Sequence, residues 1–348
     1  MSEAERKRRA AVEAAGGAAL VVSAPENVRW LLCGRGRPVD VCSSDYTVVL
    51  REGEGFVLHA DIERSRVESE ERLDEVGYEL VAFPWHEGRE PTLERLAGRG
   101  ARTDREVEAA LAPHRRELCE EEVERYRAAG GDAAAAFTEV VRHLRPELTE
   151  LAAAGGLAAA ARTRGLIARV NLVAGEQRQP VHRHPLPTSA PLGRHALLAL
   201  TVERAGLHAS MTRIVSFGPP PQRLADLVRA SAEVDAAVIS ASRPGVTHGE
   251  LFDVIAQSYE RHGFREEWRS HHQGGLTGYK GREVFAIPGE PTPLPPLGAV
   301  AWNPSITGGG KSEDTVVVSG AGAEVITRTN GLPELDTGGL RRPAIVEL

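Results

Sequence analysis

The chain has 348 residues, above the size at which one hydrophobic core usually stops growing, so two domains are expected. With 41% hydrophobic and 26% charged residues it is too apolar for disorder, and a formal net charge of -7 gives no electrostatic reason to bind nucleic acid. Its cysteines, Cys33, Cys42 and Cys119, are odd in number and form no CxxC pair, which argues against a disulfide framework or thiolate zinc site and fits a reducing cytoplasm.

The N-terminal MSEAERKRRAAVEAAGG carries charge and alanine where a secretion signal would carry an apolar core. No apolar run reaches about 18 residues, so neither export nor membrane spanning is expected. In chain order, the patterns predict a charged helix over 3–15 and strands over 18–23, 46–50 and 55–59. A helix over 62–75 and a strand over 78–84 complete a small α/β domain. The charged stretch leading to Leu118 marks the domain junction, giving domains 1–118 and 119–348.

The second domain opens with alanine-rich helices over 120–144 and 149–163, the first with apolar spacing at Val123, Tyr126 and Ala129. Strands follow over 167–174 and 195–203, the latter turning at 204–206 and returning over 208–215. A long helix over 219–243 starts at a triple proline, and another runs over 247–262. Strands are predicted over 267–272, 300–303, 315–319 and 324–329.

Four motifs sharpen this order of elements. They are Gly206-Leu-His-Ala-Ser-Met-Thr-Arg213, Arg243-Pro-Gly-Val-Thr-His-Gly-Glu250, Lys311-Ser-Glu-Asp-Thr315 and Gly322-Ala-Glu-Val-Ile-Thr327. In sequence order they resemble the second metal-bearing strand, the Arg-Pro-Gly helix start, the Arg-x-Glu-Asp strand and the closing Gly-x-Glu-x-Leu-Thr of the creatinase, aminopeptidase P and prolidase superfamily. A looser likeness extends to the N-terminal domain through Asn27-Val-Arg-Trp30 and Phe83-Pro-Trp-His86. The resemblance implies an α/β (α+β) chain in which a creatinase-like N-terminal domain precedes a pita-bread domain. It also implies a homodimer, with the N-terminal domain of one subunit near the other's cleft.

That family holds two divalent metals with two aspartates, a histidine and two glutamates, because paired hard cations sharing a water need several anionic oxygens. By family spacing, those positions fall here on Ala199, Ser210, Gly275, Asn303 and Glu313, and a preceding family histidine falls on His271. Only Glu313 keeps a ligand. One carboxylate does not neutralise two divalent cations, so no dimetal centre and no other cofactor are expected.

Creatinase keeps the fold without metal and hydrolyses a carbon–nitrogen bond with a histidine and glutamates. The resemblance puts its histidine at His182, in Gln179-Pro-Val-His-Arg-His184, and its glutamate at Glu313. An imidazole, with an unperturbed pKa of about 6.5, takes and returns a proton near neutral pH. His271 is a third catalytic candidate; a packed strand-end pair with His272 is its plain alternative.

The expected substrate contacts are Ser210, Asn303, His272, Glu203, His208, Arg213 and Lys311. Strand alternation puts Thr201 and Glu203 on the face of Ala199, and His208 on that of Ser210. Glu203 and His208 would then sit at the cleft mouth as substrate contacts or a relocated metal site, or else as a solvated hairpin end. Glu313 has a structural alternative, an ion pair with Arg213. Gly308-Gly-Gly-Lys-Ser312 has Ser305 where a phosphate-binding loop needs glycine and precedes a strand, which rejects nucleotide binding. Its amides and Lys311 suit a carboxylate instead, as do Lys280 and Arg282.

Three functions follow from the resemblance. The first is a metal-independent enzyme hydrolysing, or eliminating across, a C–N bond of a small carboxylate-bearing amide or amidine. The second is a prolidase-type metallopeptidase with a rearranged site, and the third a non-catalytic peptide-binding relative.

Overall fold

The computed structural model describes residues 1–40, 45–51 and 53–348, so Cys42 lies outside the described residues; Cys33 and Cys119 form no disulfide among the described residues. Among the described residues no helix is long and apolar enough to cross a membrane. The chain divides into two compact units, Met1–Glu122 and Val123–Leu348.

The first unit is built on strands β1 (Leu20–Val22), β2 (Thr47–Arg51), β3 (Glu54–Ala60), β4 (Glu79–Phe83) and β5 (Arg102–Thr103), in the sheet order β4-β3-β2-β1-β5. Helix Glu3–Ala14 begins at a Ser-x-x-Glu box, in which Ser2 Oγ accepts from Glu5 N at 3.3 Å and Glu5 Oε2 accepts from Ser2 N at 2.7 Å. The helix predicted over 62–75 is instead a series of short turns, Asp61–Glu63, Arg64–Arg66, Val67–Glu71 and Leu73–Val76, with Arg72 left-handed at φ 47°. Tertiary bonding overrides propensity there. The buried Glu71 carboxylate accepts from Gly36 N at 2.8 Å and Arg37 N at 3.1 Å and pairs with Arg66 at 3.2 Å. Helices Pro25–Leu31, Glu90–Ala97 and Glu108–Arg116 were not anticipated.

Helix Glu120–Val141, whose first turn ends the first unit, and helix Glu150–Arg162 lead into β6 (Ile167–Gly175), β7 (His195–Arg204) and β8 (Leu207–Ser216) of the second unit, an antiparallel meander. The β7–β8 register pairs Ala199 with Thr212 and Thr201 with Ser210. After helices Gln222–Ala241 and His248–Arg261 come β9 (Gly274–Thr277), β10 (Val284–Phe285), β11 (Gly298–Trp302), β12 (Ser305–Ile306), β13 (Gly310–Lys311), β14 (Asp314–Ser319), β15 (Gly322–Val325), β16 (Glu334–Asp336), β17 (Arg341–Pro343) and β18 (Val346–Glu347). The larger sheets run β10-β9-β11-β14-β15 and β18-β8-β7-β6. The two long helices bury Val234, Val238, Leu251 and Ile255 against Leu276, Val300, Trp302 and Val316 of the five-stranded sheet.

The strand predicted over 267–272 is a 3-10 turn, Glu267–Ser270. The Glu267 carboxylate accepts from Thr307 N at 3.1 Å and pairs with Arg183 at 2.5 Å, which holds the turn closed. The strand follows as β9, which begins Gly274-Gly275. A Cβ at Gly274 would meet Ala301 O at 2.0 Å, and one at Gly275 would meet Val284 O at 2.1 Å. Only glycine admits this close strand pairing.

Candidate active site

The two large sheets meet where β8 runs beside the start of β14. Thr212 N donates to Glu313 O at 3.1 Å, and Ser210 N donates to Thr315 Oγ1 at 2.7 Å. This stitching turns the Glu313 side chain into a cavity of about 320 Å³, whose walls include Ala199, Thr201, His184, His272, Asn303 and Lys311.

Glu313 is only 5% exposed and fully engaged. Its Oε2 accepts from the Thr212 hydroxyl at 2.6 Å and faces Lys311 Nζ at 3.6 Å, while Oε1 faces Arg282 Nη2 at 3.4 Å. Burial pushes the carboxyl up, but Lys311, Arg282 and the Thr212 hydroxyl outweigh it and hold the group below the usual carboxylate range. Glu313 is therefore an anion at neutral pH, with two cations around it. Arg282 Nε is buried without a hydrogen-bond partner.

A histidine cluster forms another wall. The loop before β7 is pinned by Arg183, whose Nη2 donates to Glu267 at 2.5 Å and to Thr307 Oγ1 at 2.7 Å. Beyond it His184 reaches the cavity, its Nε2 at 3.1 Å from His271 Nε2. His271 stacks on His272 at 4.5 Å between ring centres, and His272 packs edge-on against Phe285. Burial, followed by the Lys311 charge, lowers His184 and pulls His271 down to about 2. Burial and then Arg282 bring His272 to about 4. All three rings are neutral at pH 7.

The remaining sequence candidates divide. Asn303, 3% exposed, lines the cavity, and its Oδ1 has no hydrogen-bond partner. Ser210 lies behind the wall, with Oγ at 2.9 Å from Thr201 Oγ1. His208 lines the cavity while its Nδ1 meets Gly278 O at 3.2 Å, and burial lowers its pKa. Glu203 closes the β7–β8 turn by accepting from Gly206 N at 3.1 Å and pairs with Arg169 at 3.0 Å.

His182 is exposed on a separate small crevice beside Gly308–Gly310, outside the lining of the main cavity. The pairing weighed between Glu313 and Arg213 does not form. Arg213 points to the other side of the strand, where it pairs with Asp314 at 2.9 Å and reaches Glu313 only through its backbone carbonyl, at 3.2 Å. Strand alternation explains this, since Thr212 and Arg213 must face opposite ways.

Sequence reasoning assigned no role to His184 or Thr212, and gave Arg282 only a possible anion contact. Family spacing falls on His182, but the Arg183 clamp carries His184 to the cavity instead. The walls thus supply the paired Glu313 carboxylate, the neutral imidazoles of His184, His271, His272 and His208, the unpaired amide oxygen of Asn303 and the cations Lys311 and Arg282, with Arg169 beside them paired to Glu203.

Residues 124–320, more than half of the chain, match the sequence pattern of Metallopeptidase family M24. The chain belongs to that family. Among solved structures, the Xaa-Pro dipeptidase from Bacillus anthracis is similar at 18% identity, covering 99% of each chain with a TM-score of 0.76. The X-Pro aminopeptidase from Thermotoga maritima MSB8 is similar at 18% identity over 100% of each chain, with a TM-score of 0.75. The N-terminal domain of FACT complex subunit SPT16 from Cicer arietinum (chickpea) is similar at 12% identity, covering 94% of this chain and 97% of that one, with a TM-score of 0.66. No functionally curated protein matches the sequence. At these identities the M24 likeness fixes the fold, a pita-bread domain behind an N-terminal α/β domain, and leaves the chemistry to the cavity.

Proposed function

We propose that this M24 member is a metal-independent, creatinase-like enzyme that breaks a C–N bond in a small carboxylate-bearing amide or amidine. The observation that carries the reading is the pairing of Glu313 with Lys311 and Arg282. A two-metal centre needs several anionic oxygens. Here the single carboxylate is already neutralised by two protein cations, and the other family positions offer an alanine, a serine, an amide and a glycine at which no side chain fits. The family's metal pair does not fit these residues.

What the walls suit is an anionic substrate. With Glu313 offsetting one charge, Lys311 and Arg282 leave net positive charge for a substrate carboxylate. Asn303 Oδ1 accepts a hydrogen bond from an amide or amidine N–H. His184, which lines the cavity, acts as the proton carrier in place of His182, which lies outside it. Water attacks the carbonyl or amidine carbon and gives its proton to the neutral imidazole, which returns it to the departing nitrogen as the C–N bond breaks. His271, at 3.1 Å, orients that ring. In an elimination no water adds: the imidazole takes a proton from the carbon adjacent to the C–N bond, the C–H electron pair becomes a C=C bond, and the proton goes to the departing nitrogen. The expected homodimer and cytoplasmic location belong to the same reading.

Proteins of similar structure include an Xaa-Pro dipeptidase and a FACT complex subunit, so two outcomes separate the alternatives. Chelator-treated protein incubated with N-acyl and amidino carboxylates should turn over at least one of them, at a rate that added Mn²⁺ leaves unchanged. Cleavage of Xaa-Pro dipeptides only after Mn²⁺ addition would overturn the reading in favour of a metallopeptidase. Tight peptide binding without turnover of any compound would overturn it in favour of a recognition module.

A further inference from the structure

We propose that His184, His271 and His272 form a site for a single borderline-soft divalent ion, Zn²⁺ or Cu²⁺, distinct from the two-metal centre of family M24. One ring nitrogen from each histidine lies within 4.8 Å of the other two. The Nε2 atoms of His184 and His271 are 3.1 Å apart. Two ligands bound at about 2.0–2.1 Å to a tetrahedral ion stand about 3.3–3.4 Å apart, so this pair already spans nearly one edge of a coordination tetrahedron. His272 stacks on His271 and is exposed, which leaves its ring room to rotate its nitrogen inward.

A second observation points the same way. Two imidazole nitrogens facing each other at 3.1 Å share at most one proton, while His271 Nδ1 is buried without a hydrogen bond of normal geometry. With an ion on Nε2 the proton of the ring sits on Nδ1, which then needs an acceptor beside it, the place of an ordered water in a histidine metal site.

The donor set also names the ion. Three neutral imidazoles and a water are a familiar zinc environment and suit copper and nickel, whereas manganese and magnesium prefer oxygen ligands. The charges facing the cluster are Lys311 and Arg282, which oppose a cation, and Glu313, which offsets one of them. Affinity then rests on the lone pairs and not on charge, which sharpens discrimination by ion type. An ion held there competes with the proton for His184, so zinc should act as an inhibitor; its binding can be measured without any substrate.

The test is a calorimetric Zn²⁺ titration of chelator-treated, tag-free, full-length protein. One equivalent should bind. His271→Ala and His272→Ala should each weaken binding by more than the roughly 10–100-fold that loss of a second-shell partner costs, while His182→Ala leaves it unchanged. Bound Cu²⁺ should show nitrogen couplings in its paramagnetic resonance spectrum. Wild-type protein that takes up no zinc, or variants that bind as tightly as wild type, would overturn the proposal. The His272 ring is exposed, so His272→Ala carries the test if His271→Ala fails to fold.

Discussion

Arg342→Met should destabilise the protein by about 3–5 kcal/mol, read as a lower urea midpoint at unchanged slope. Arg342 is 1% exposed and bonds Asp235 at 2.5 Å and Asp314 at 2.8 Å, and Asp314 in turn holds Arg213 at 2.9 Å. The row ties helix Gln222–Ala241, strands β8 and β14, and the hairpin strand β17 into one buried network. Methionine keeps much of the volume, so the loss is electrostatic: Asp235 is left without its cation, in a site where burial already raises its pKa. An effect below about 1 kcal/mol, in the range of a surface ion pair, would show that the network is not desolvated.

The second large effect is on turnover. His184→Ala should lower kcat/KM for the C–N substrate by about 10²–10⁴-fold, the usual contribution of a positioned proton carrier, while His182→Ala stays within a few-fold of wild type. The pH profile gives an independent readout. The base must be neutral to accept a proton, so the rate falls as pH drops through its pKa in the folded protein. Burial and Lys311 depress that pKa, so the acid limb should lie below the ordinary histidine value of about 6.5. An acid limb at or above that value, or equal losses in the two variants, would sink the assignment.

Much of the fold is legible in the sequence because its pattern is local. The alternation in β7 and β8, the Thr247–Glu250 capping box of helix His248–Arg261 and the Gly-x-x-x-x-x-Thr-Arg hairpin each announce themselves within a few residues. What the sequence hides depends on partners far away. The 62–75 segment bends to serve Glu71, and β9 carries glycines where strand formers are expected, because Ala301 and Val284 carbonyls approach its backbone.

The candidate site divides the same way. Glu313, His271, His272, Asn303 and Lys311 are found from motif spacing, and the cavity brings most of them together. His184 is missed because family spacing falls on His182, and the clamp of Arg183 on Glu267 and Thr307 that carries His184 to the cavity is a long-range feature. Arg282 comes from the loop after β9, so its ion pair with Glu313 is visible only once the sheet has formed.

The central claim is that Lys311 and Arg282 hold, in place of metals, the charge of the one family carboxylate that remains. The most direct measurement is manganese occupancy: tag-free protein is incubated with excess Mn²⁺, separated from free ion by gel filtration and counted by elemental mass spectrometry. The account predicts less than about a tenth of an equivalent per chain, since three imidazoles and one paired carboxylate make a poor site for a hard ion. One or two equivalents retained, and lost in Glu313→Gln, would contradict it and return the protein to the metallopeptidases of its family.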